Sequence, residues 1–290
     1  MKIMKKIILA FISTLILTAC EKPLSLEDDG NVVLTFEPST HDKQTRGTIS
    51  IGNYFEKLNV MLFDADGSKA FDKVKTQTKD DSDFGQMTLS LAVGTYTVVA
   101  VGHSSIKSAT IKSPQMVQFT ASDGEKLTDT FCHCGQVTIG EDGGHFSLVM
   151  NRVGAMLQLV FTDAAENIPD VFQTLKIDYT GGSANFNPTT FEGTTKSTQS
   201  ESRQRNASGI YQAFTFPYQS DEGELKVTIT ALTADGTQIR QRVLNNVPVT
   251  RNRITTYTGH FFEPGDGVIT QTGFGFSVNG DWDGTDDHTF

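Results

Sequence analysis

The stretch GTYTVVAVG, residues 94–102, decides the fold class. Its first half alternates polar and apolar side chains, and its second half is almost entirely apolar. A run of this length, rich in β-branched and aromatic residues, is typical of a β-strand. A strand that becomes apolar on both faces is covered on both sides. The stretch therefore predicts a strand that begins half-exposed and ends inside a core.

A period of two recurs along most of the chain. Residues 58–63 form a further apolar run, and residues 87–91 alternate apolar and polar side chains. The runs at residues 175–179, 225–229 and 274–278 alternate cleanly, each apolar to one side. Asp66-Gly67 and Asp235-Gly236 each follow such a run, and an Asp-Gly pair between apolar runs predicts a hairpin. The best helical candidate, residues 163–172, is interrupted by Pro169. The pattern predicts an all-β protein built from antiparallel β-sandwiches.

The length of 290 residues is enough for about two domains, each with its own core. We place the junction within Asn151–Gly154, between two strand runs. This divides the chain into an N-terminal sandwich over residues 31–154 and a C-terminal sandwich over residues 155–290. The Ala-Asp-Gly turn found in each half suggests two sandwiches of the same kind. Residues 180–208, rich in Gly, Ser and Thr, are interpreted as a long surface excursion.

The N-terminus predicts export and lipidation. A lysine-rich start precedes an apolar run over residues 7–17, which is too short to span a bilayer and is typical of a secretory signal. The sequence LTAC at residues 17–20 is a bacterial lipobox. We therefore predict a signal peptide over residues 1–19, cleavage between Ala19 and Cys20, and lipidation of Cys20. An ordinary signal peptide is the competing interpretation. Polar residues 20–30 predict a solvated tether.

The chain is acidic, with a formal net charge of -10, and no cluster of lysine and arginine interrupts the negative field. Such a field repels nucleic acid, so we exclude a nucleic-acid partner. No later apolar run approaches eighteen residues, so the lipid on Cys20 is the only membrane attachment that the sequence predicts. Two further cysteines are too few for a disulfide scaffold, and the fold must depend on its hydrophobic core.

Three local patterns resemble chemical sites, and each is incomplete. Gly102–Ile106 lacks the second glycine of a serine-hydrolase elbow. Cys132–Cys134 places two thiols on one strand face, but a structural zinc ion needs four ligands, so buried small residues are the preferred interpretation. Asn279–Gly284 has the first half of a calcium loop, but Phe290 stands where a glutamate belongs. Four histidines are predicted to be ordinary surface or edge residues: His103, His133, His145 and His260. We predict no enzyme, no cofactor and no metal.

The order of these features resembles the Bacteroidetes fimbrillin superfamily, and within it the fimbrial anchor and minor-subunit branch. The resemblance rests on the lipobox, a first strand at residues 32–36, Thr45-Arg46-Gly47, and the runs at residues 58–67, 94–101 and 251–261. It implies two tandem transthyretin-like β-sandwich domains in an outer-membrane lipoprotein of a type V pilus, exposed at the cell surface. The implied partners are other pilus subunits and, through Cys20, the outer membrane. A ligand on a host or bacterial surface is a further candidate partner.

In polymerising members of that superfamily, a protease cuts after an arginine that follows the first strand. The strand leaves, and the groove accepts a strand from the next subunit. Arg46 stands at the corresponding position, so Arg46 and Gly47 form a candidate maturation site. An uncut chain would keep its lipid and act as an anchor or accessory subunit, whereas a cut chain would be a stalk or tip subunit.

Residues 268–278 alternate as a donated strand requires, which predicts that the chain supplies a strand to a neighbour. A different class of function stays open beside the pilus subunit. In it, the protein is a monomeric surface lipoprotein that binds glycan or peptide through loops at the sandwich ends, among them residues 180–208.

Overall fold

The structure, a computed structural model, describes residues 30–39, 50–120, 126–263 and 284–289. Within these ranges the chain forms eighteen β-strands and two short 3₁₀ turns, and it contains no α-helix. The prediction of an all-β, sandwich-type protein is confirmed. The strands fall into two successive sets.

The first set builds two sheets that face each other. One contains β1 (Gly30–Pro38), β4 (Gln86–Leu91) and β9 (Gly144–Arg152), in the order β4-β1-β9. The other contains β2 (Lys57–Phe63), β3 (Lys75–Thr78), β5 (Gly94–His103) and β8 (Phe131–Ile139), in the order β3-β2-β5-β8. At one end β8 pairs with β9, where Phe131 lies opposite Arg152. This pairing makes the two facing layers one continuous seven-stranded sheet, in the order β3-β2-β5-β8-β9-β1-β4.

The second set builds another facing pair of sheets. One contains β10 (Ala155–Phe161), β14 (Ile210–Thr215), β17 (Arg253–Gly259) and β18 (Gly284–Thr289), in the order β14-β10-β17-β18. The other contains β11 (Thr174–Thr180), β13 (Gln199–Gln204), β15 (Glu222–Leu232) and β16 (Gln238–Thr250), in the order β13-β11-β15-β16.

The two sets share one pattern of strand pairing. β1 is antiparallel to β4 and parallel to β9, and β10 is likewise antiparallel to β14 and parallel to β17. In the larger sheets, β2 lies between β3 and β5, as β11 lies between β13 and β15. The weak sequence repeat thus corresponds to a repeated topology. The domain boundary between residues 154 and 155 stays a prediction, and it falls in the short connection between β9 and β10.

Each set of strands encloses its own apolar core. Val98 and Ala100 of β5 face the core of the first set, whereas Val99 and Val101 face a separate apolar cluster on the other side of the sheet. This explains why the second half of the stretch at residues 94–102 is apolar at nearly every position. The core of the second set takes side chains from both of its sheets, among them Leu159, Ile177 and Ile229.

The separate apolar cluster lies between the two sets. β6 (Thr110–Ser113), β7 (Met116–Gln118) and β12 (Asn185–Phe186) form a small sheet in the order β12-β7-β6, so the second set adds a strand to a hairpin of the first. Phe186 and Phe216 of the second set pack there against Val99 of the first. The interpretation of residues 180–208 as a surface excursion is wrong, because this stretch holds β12, β13 and buried side chains.

The small residues of this stretch gave no sign in the sequence that it is buried. A Cβ atom added to Gly182 would lie 1.9 Å from Thr215 Oγ1. The glycine is therefore required by a close approach to β14, where a surface loop had been expected.

Polar side chains that point inward close one side of each sandwich. Gln77 of β3 is buried, and its Nε2 donates a hydrogen bond to the Gln86 carbonyl of β4 at 2.8 Å. On the corresponding strand β13, the buried Glu201 pairs with Arg203 at 2.9 Å, and Arg203 Nε donates to the Gln212 carbonyl of β14 at 3.3 Å. Inward-pointing polar groups on edge strands hinder the addition of a further strand.

Arg152 ties the junction together. Its side chain is 4% exposed, and Nε and Nη2 donate to the two carboxylate oxygens of Asp129 at 2.8 and 2.9 Å. Nη1 donates to Asn252 Oδ1, in the turn between β16 and β17, at 3.3 Å. The guanidinium carbon lies 4.5 Å from the centre of the Phe131 ring. One side chain thus connects the end of the first set to a turn of the second.

His103 is not the surface or edge residue that the sequence suggested, because its side chain is fully buried. The Ser105 N–H donates to Nδ1 at 3.1 Å, and Nε2 lies 2.8 Å from Asn59 Oδ1. The Ala109 N–H lies between these two groups, 2.9 Å from Asn59 Oδ1 and 3.2 Å from Nε2. Burial, aided by the charge of Lys57, lowers the pKa of His103 to about 3. The imidazole is therefore neutral in the folded protein at neutral pH, and its ring bonds involve no serine hydroxyl.

This histidine predicts an acid-sensitive fold. In the unfolded chain the imidazole binds a proton below pH ~6.5, whereas in the folded chain it does so only near a pH of about 3. The His103 contribution is therefore complete above pH ~6.5 and is lost as the pH falls, at up to about 1.4 kcal/mol per pH unit. Carboxylates also titrate in this range. The contribution of His103 is therefore isolated by measuring, with urea, the difference in free energy of unfolding between the wild type and His103→Gln at each pH.

We expect the stability difference between wild type and His103→Gln to shrink steadily from pH 6.5 to pH 4. His145→Gln is the matched control, because it makes the same substitution at a histidine that is exposed on β9. Unfolding curves of wild type and His103→Gln that stay a constant distance apart over this range would contradict the assignment.

Candidate functional site: the first strand and its groove

β1 is the middle strand of its sheet and not an edge strand. It pairs with β4 from Gly30 opposite Leu91 to Thr35 opposite Gln86, and with β9 from Val32 opposite Gly144 to Pro38 opposite Met150. The hydrogen bonds extend to the end of the strand, where the Ser39 N–H donates to the Met150 carbonyl at 2.8 Å. Removal of β1 would therefore break two ladders and separate β4 from β9.

One face of β1 is part of the core. Val32 and Leu34 are 0% exposed and Phe36 is 3% exposed, whereas Glu37 on the opposite face is exposed. These three side chains pack with apolar side chains from both sheets, among them Leu58, Leu89, Val98, Leu148 and Met150. Burial of each such side chain is worth about 1.5–3 kcal/mol. The space that β1 occupies is an apolar groove with a strand edge on each side, and we call it the β1 groove.

Gly143 lies close to the backbone of β1 at the start of the β1 groove. It lies in the turn between β8 and β9, its φ is +72°, and an added Cβ atom would lie 2.1 Å from the Asn31 carbonyl oxygen. Its N–H donates to the Gly140 carbonyl at 3.0 Å, which closes the turn. Only glycine combines this backbone conformation with so close an approach. Gly143 and Gly144, two adjacent glycines between strand runs, are a turn signal in the sequence, but the sequence does not show the close approach of Gly143 to β1.

The residues predicted to be processed lie outside the described part of the chain. Ala19 and Cys20 precede it, and Arg46 and Gly47 fall in the undescribed residues 40–49, directly after β1. The proposed donor residues 268–278 also lie outside it, and of the calcium-type turn Asn279–Gly284 only Gly284 is described. All of these assignments stay predictions. Among the described residues, no helix is long and apolar enough to cross a membrane.

Cys132 and Cys134 project from β8 towards the apolar cluster between the two sets. Cys132 is completely buried, and burial raises the pKa of its thiol well above the ordinary value. Cys134 is half-buried, and its sulfur lies 3.8 Å from Thr189 Oγ1. His133 lies on the other face of the strand, where Nδ1 is 2.9 Å from the Val149 carbonyl oxygen. The two thiols serve as small packing groups at this interface.

A family model described as a family of unknown function, DUF6562, matches residues 25–289. The chain belongs to this family. The match covers β1, both sets of strands and β18. Among curated proteins, none matches the sequence of this DUF6562 member.

Two solved structures are similar to this chain at low sequence identity. The fimbrial anchor protein Mfa2 from Porphyromonas gingivalis is 18% identical, over 76% of this chain and 83% of that chain, with a TM-score of 0.40. A fimbrial assembly protein from Parabacteroides distasonis is 12% identical, over 75% of this chain and 86% of that chain, with a TM-score of 0.41. Similarity at this level lies below that at which a shared function follows.

The contact between Gly143 and β1 gives a direct test of the site. We predict that Gly143→Ala destabilises the protein by about 1–2 kcal/mol from the left-handed backbone conformation alone, and by more if the Asn31 carbonyl must move. Hydrogen exchange of the β1 amides should accelerate. Gly140→Ala is the matched control in the same turn, because nothing lies within 4 Å of its added Cβ atom. Equal unfolding midpoints for the two variants would show that β1 is not held there.

Proposed function

We propose that the protein is a lipid-anchored, surface-exposed outer-membrane subunit of a type V pilus, an anchor or accessory subunit without enzymatic activity. The observation that supports this most strongly is the filled β1 groove. β1 pairs on both sides and buries Val32, Leu34 and Phe36 in the core. A groove that already holds its own strand cannot accept a strand from another chain, so such a subunit ends a chain of strand exchanges.

The covalent order of the N-terminus supports the anchor role. Cys20, the predicted lipid site, lies ten residues before the start of β1, and Arg46 lies eight residues after its end at Pro38. The strand that fills the β1 groove is thus the strand that connects the lipid to the sandwich. A cut at Arg46 would free the lipid and β1 together, whereas an uncut chain keeps both. Membrane attachment and a filled groove are consequences of the same uncut segment.

An anchor with a filled groove can join a pilus only by giving a strand. Phe274, Phe276 and Val278 alternate with Gly275 and Ser277, as in a strand with one apolar face. Such a strand could complete the empty groove of the next subunit by β-augmentation. The partners are therefore other pilus subunits, and assembly proceeds outward from the membrane.

Two alternatives differ from this proposal. In the first, the chain is cleaved within residues 40–49. In the second, the protein binds a different kind of partner. Cleavage after Arg46 would make the protein a polymerising stalk or tip subunit, with an empty β1 groove. A monomeric lipoprotein that binds glycan or peptide is a different class. That reading depended partly on a surface loop at residues 180–208, and those residues instead contain β12, β13 and the buried Glu201.

The proposal predicts complexes that survive detergent. Extracted from native membranes and run on unheated SDS gels, the protein should migrate with other pilus subunits, and boiling should release it at its own mass. Phe276→Asp should abolish these complexes because it puts a charge on the apolar face of the donated strand. Ser277→Asp, the matched control, puts the same charge on the opposite face and should leave the complexes intact.

Each other outcome counts against a specific part of the proposal. A monomer before and after boiling would exclude strand addition and favour the ligand-binding lipoprotein. Complexes that survive Phe276→Asp would exclude residues 268–278 as the donor. Homopolymers of this chain alone would show that the β1 groove is emptied, which favours the stalk or tip reading.

A further inference from the structure

A single carboxylate holds the backbone where the chain leaves β17. Asp163 Oδ2 accepts the Phe261 N–H at 2.7 Å, and Oδ1 accepts the N–H groups of Phe262 and Glu263 at 2.6 and 2.9 Å. Asp163 itself follows directly after β10, the strand beside β17. Hydrogen bonds with an ionised partner are roughly twice as strong as neutral ones. Three consecutive amides are thus fixed to the end of the neighbouring strand.

The carbonyl groups of the same residues are held from the opposite sheet. Arg240 Nη1 donates to the Phe262 carbonyl at 2.8 Å, and Arg242 Nε donates to the Phe261 carbonyl at 3.3 Å. Both arginines lie on β16, an edge strand of the second sheet of this set. The backbone after β17 is therefore tied to both sheets of the sandwich at once, and none of these bonds belongs to a β-ladder.

Aromatic packing fixes the side chains at this point. Phe261 is 0% exposed and stacks on Phe161 of β10, with ring centres 4.6 Å apart. Phe262 is 7% exposed and contacts Phe172 at 5.1 Å between ring centres. Burial of two phenylalanine side chains adds several kcal/mol to the polar contacts, at about 1.5–3 kcal/mol for each. We call Asp163, Arg240, Arg242 and residues 261–263 the exit clamp.

The chain beyond the exit clamp is held differently. The described part of it, β18, pairs with β17 alone and lies at the edge of its sheet. β17, in contrast, is paired on both sides and contributes Tyr257 to the core. A pull on the C-terminus is resisted at β18 by one ladder to β17, but at the exit clamp by backbone and aromatic contacts to two sheets together.

We infer that the exit clamp is a tensile anchor, which stops a pull on the residues after Glu263 from reaching β17 and opening the core. Contacts that share a load must break together, so the force needed to open them reflects their combined strength. A strand that is paired along one edge can lose its hydrogen bonds one pair at a time. The role does not require that the protein belong to a pilus, since it concerns any pull on the C-terminus. For the proposed pilus subunit, it marks where tension from a donated C-terminal strand enters the sandwich.

The test is single-molecule pulling of the full chain, with handles at the two termini. In Asp163→Ala we expect the second sandwich to open at least about tenfold faster at constant force, the change for one charge-assisted hydrogen bond. Asp235→Ala is the matched control. Asp235 also accepts a backbone N–H, that of Thr237 at 3.2 Å, but it lies in the exposed hairpin between β15 and β16.

A second pulling geometry separates a tensile anchor from ordinary stabilisation. When the C-terminal handle is moved to residue 234 in the exposed hairpin, the pull no longer passes through the exit clamp. Asp163→Ala should then leave the opening rate close to that of the wild type pulled in the same geometry. An equal acceleration in both geometries, or none in the first, would overturn the inference. If Asp163→Ala does not fold, Arg240→Met takes its place, because it removes only the bond to the Phe262 carbonyl and keeps the aliphatic stem.

Discussion

The double pairing of β1 is the constraint on which the first sandwich depends. A strand that is parallel to β9 on one side and antiparallel to β4 on the other cannot leave without dividing its sheet, and Leu34 and Phe36 bind that sheet to the facing one. The same strand continues towards the predicted lipid site at Cys20. The predicted attachment to the membrane and the closure of the β1 groove therefore depend on one segment, so the predicted cut at Arg46 would change both the proposed location and the proposed assembly of the protein.

The second set repeats this topology with one difference that matters for assembly. β10 occupies the position of β1, but it follows β9 directly and no predicted processing site follows it, so only the first sandwich has a strand that the predicted cut could release. The inward-pointing Gln77 and Arg203 close the β3–β4 and β13–β14 sides against added strands. The pairing of β12 with β7 and the bonds of Arg152 join the two sandwiches. A force can pass from the β1 groove to the exit clamp through packed structure.

Alternation was enough to identify the strands, because β-strands with one buried face repeat every two residues. It predicted β11 and the first half of β5, whereas β1 was predicted from its β-branched and aromatic residues and the two hairpin turns from their Asp-Gly pairs. It failed at residues 180–208 and at His103, where the environment is set by distant contacts: Gly182 meets Thr215 across the sandwich, and Asn59 offers His103 a buried partner. The β1 groove followed from the first strand run, whereas Gly143 and the exit clamp depend on pairings between residues far apart in the sequence, which periodicity does not encode.

The most direct test of the central claim is the N-terminal residue of the protein isolated from native membranes, measured by mass spectrometry with lipid detection. The anchor proposal predicts a lipidated Cys20 at the start, with β1 and Arg46 in one uncut chain. A chain that begins at Gly47 would contradict it, because the lipid and β1 would both have been removed and the β1 groove would be open to another subunit.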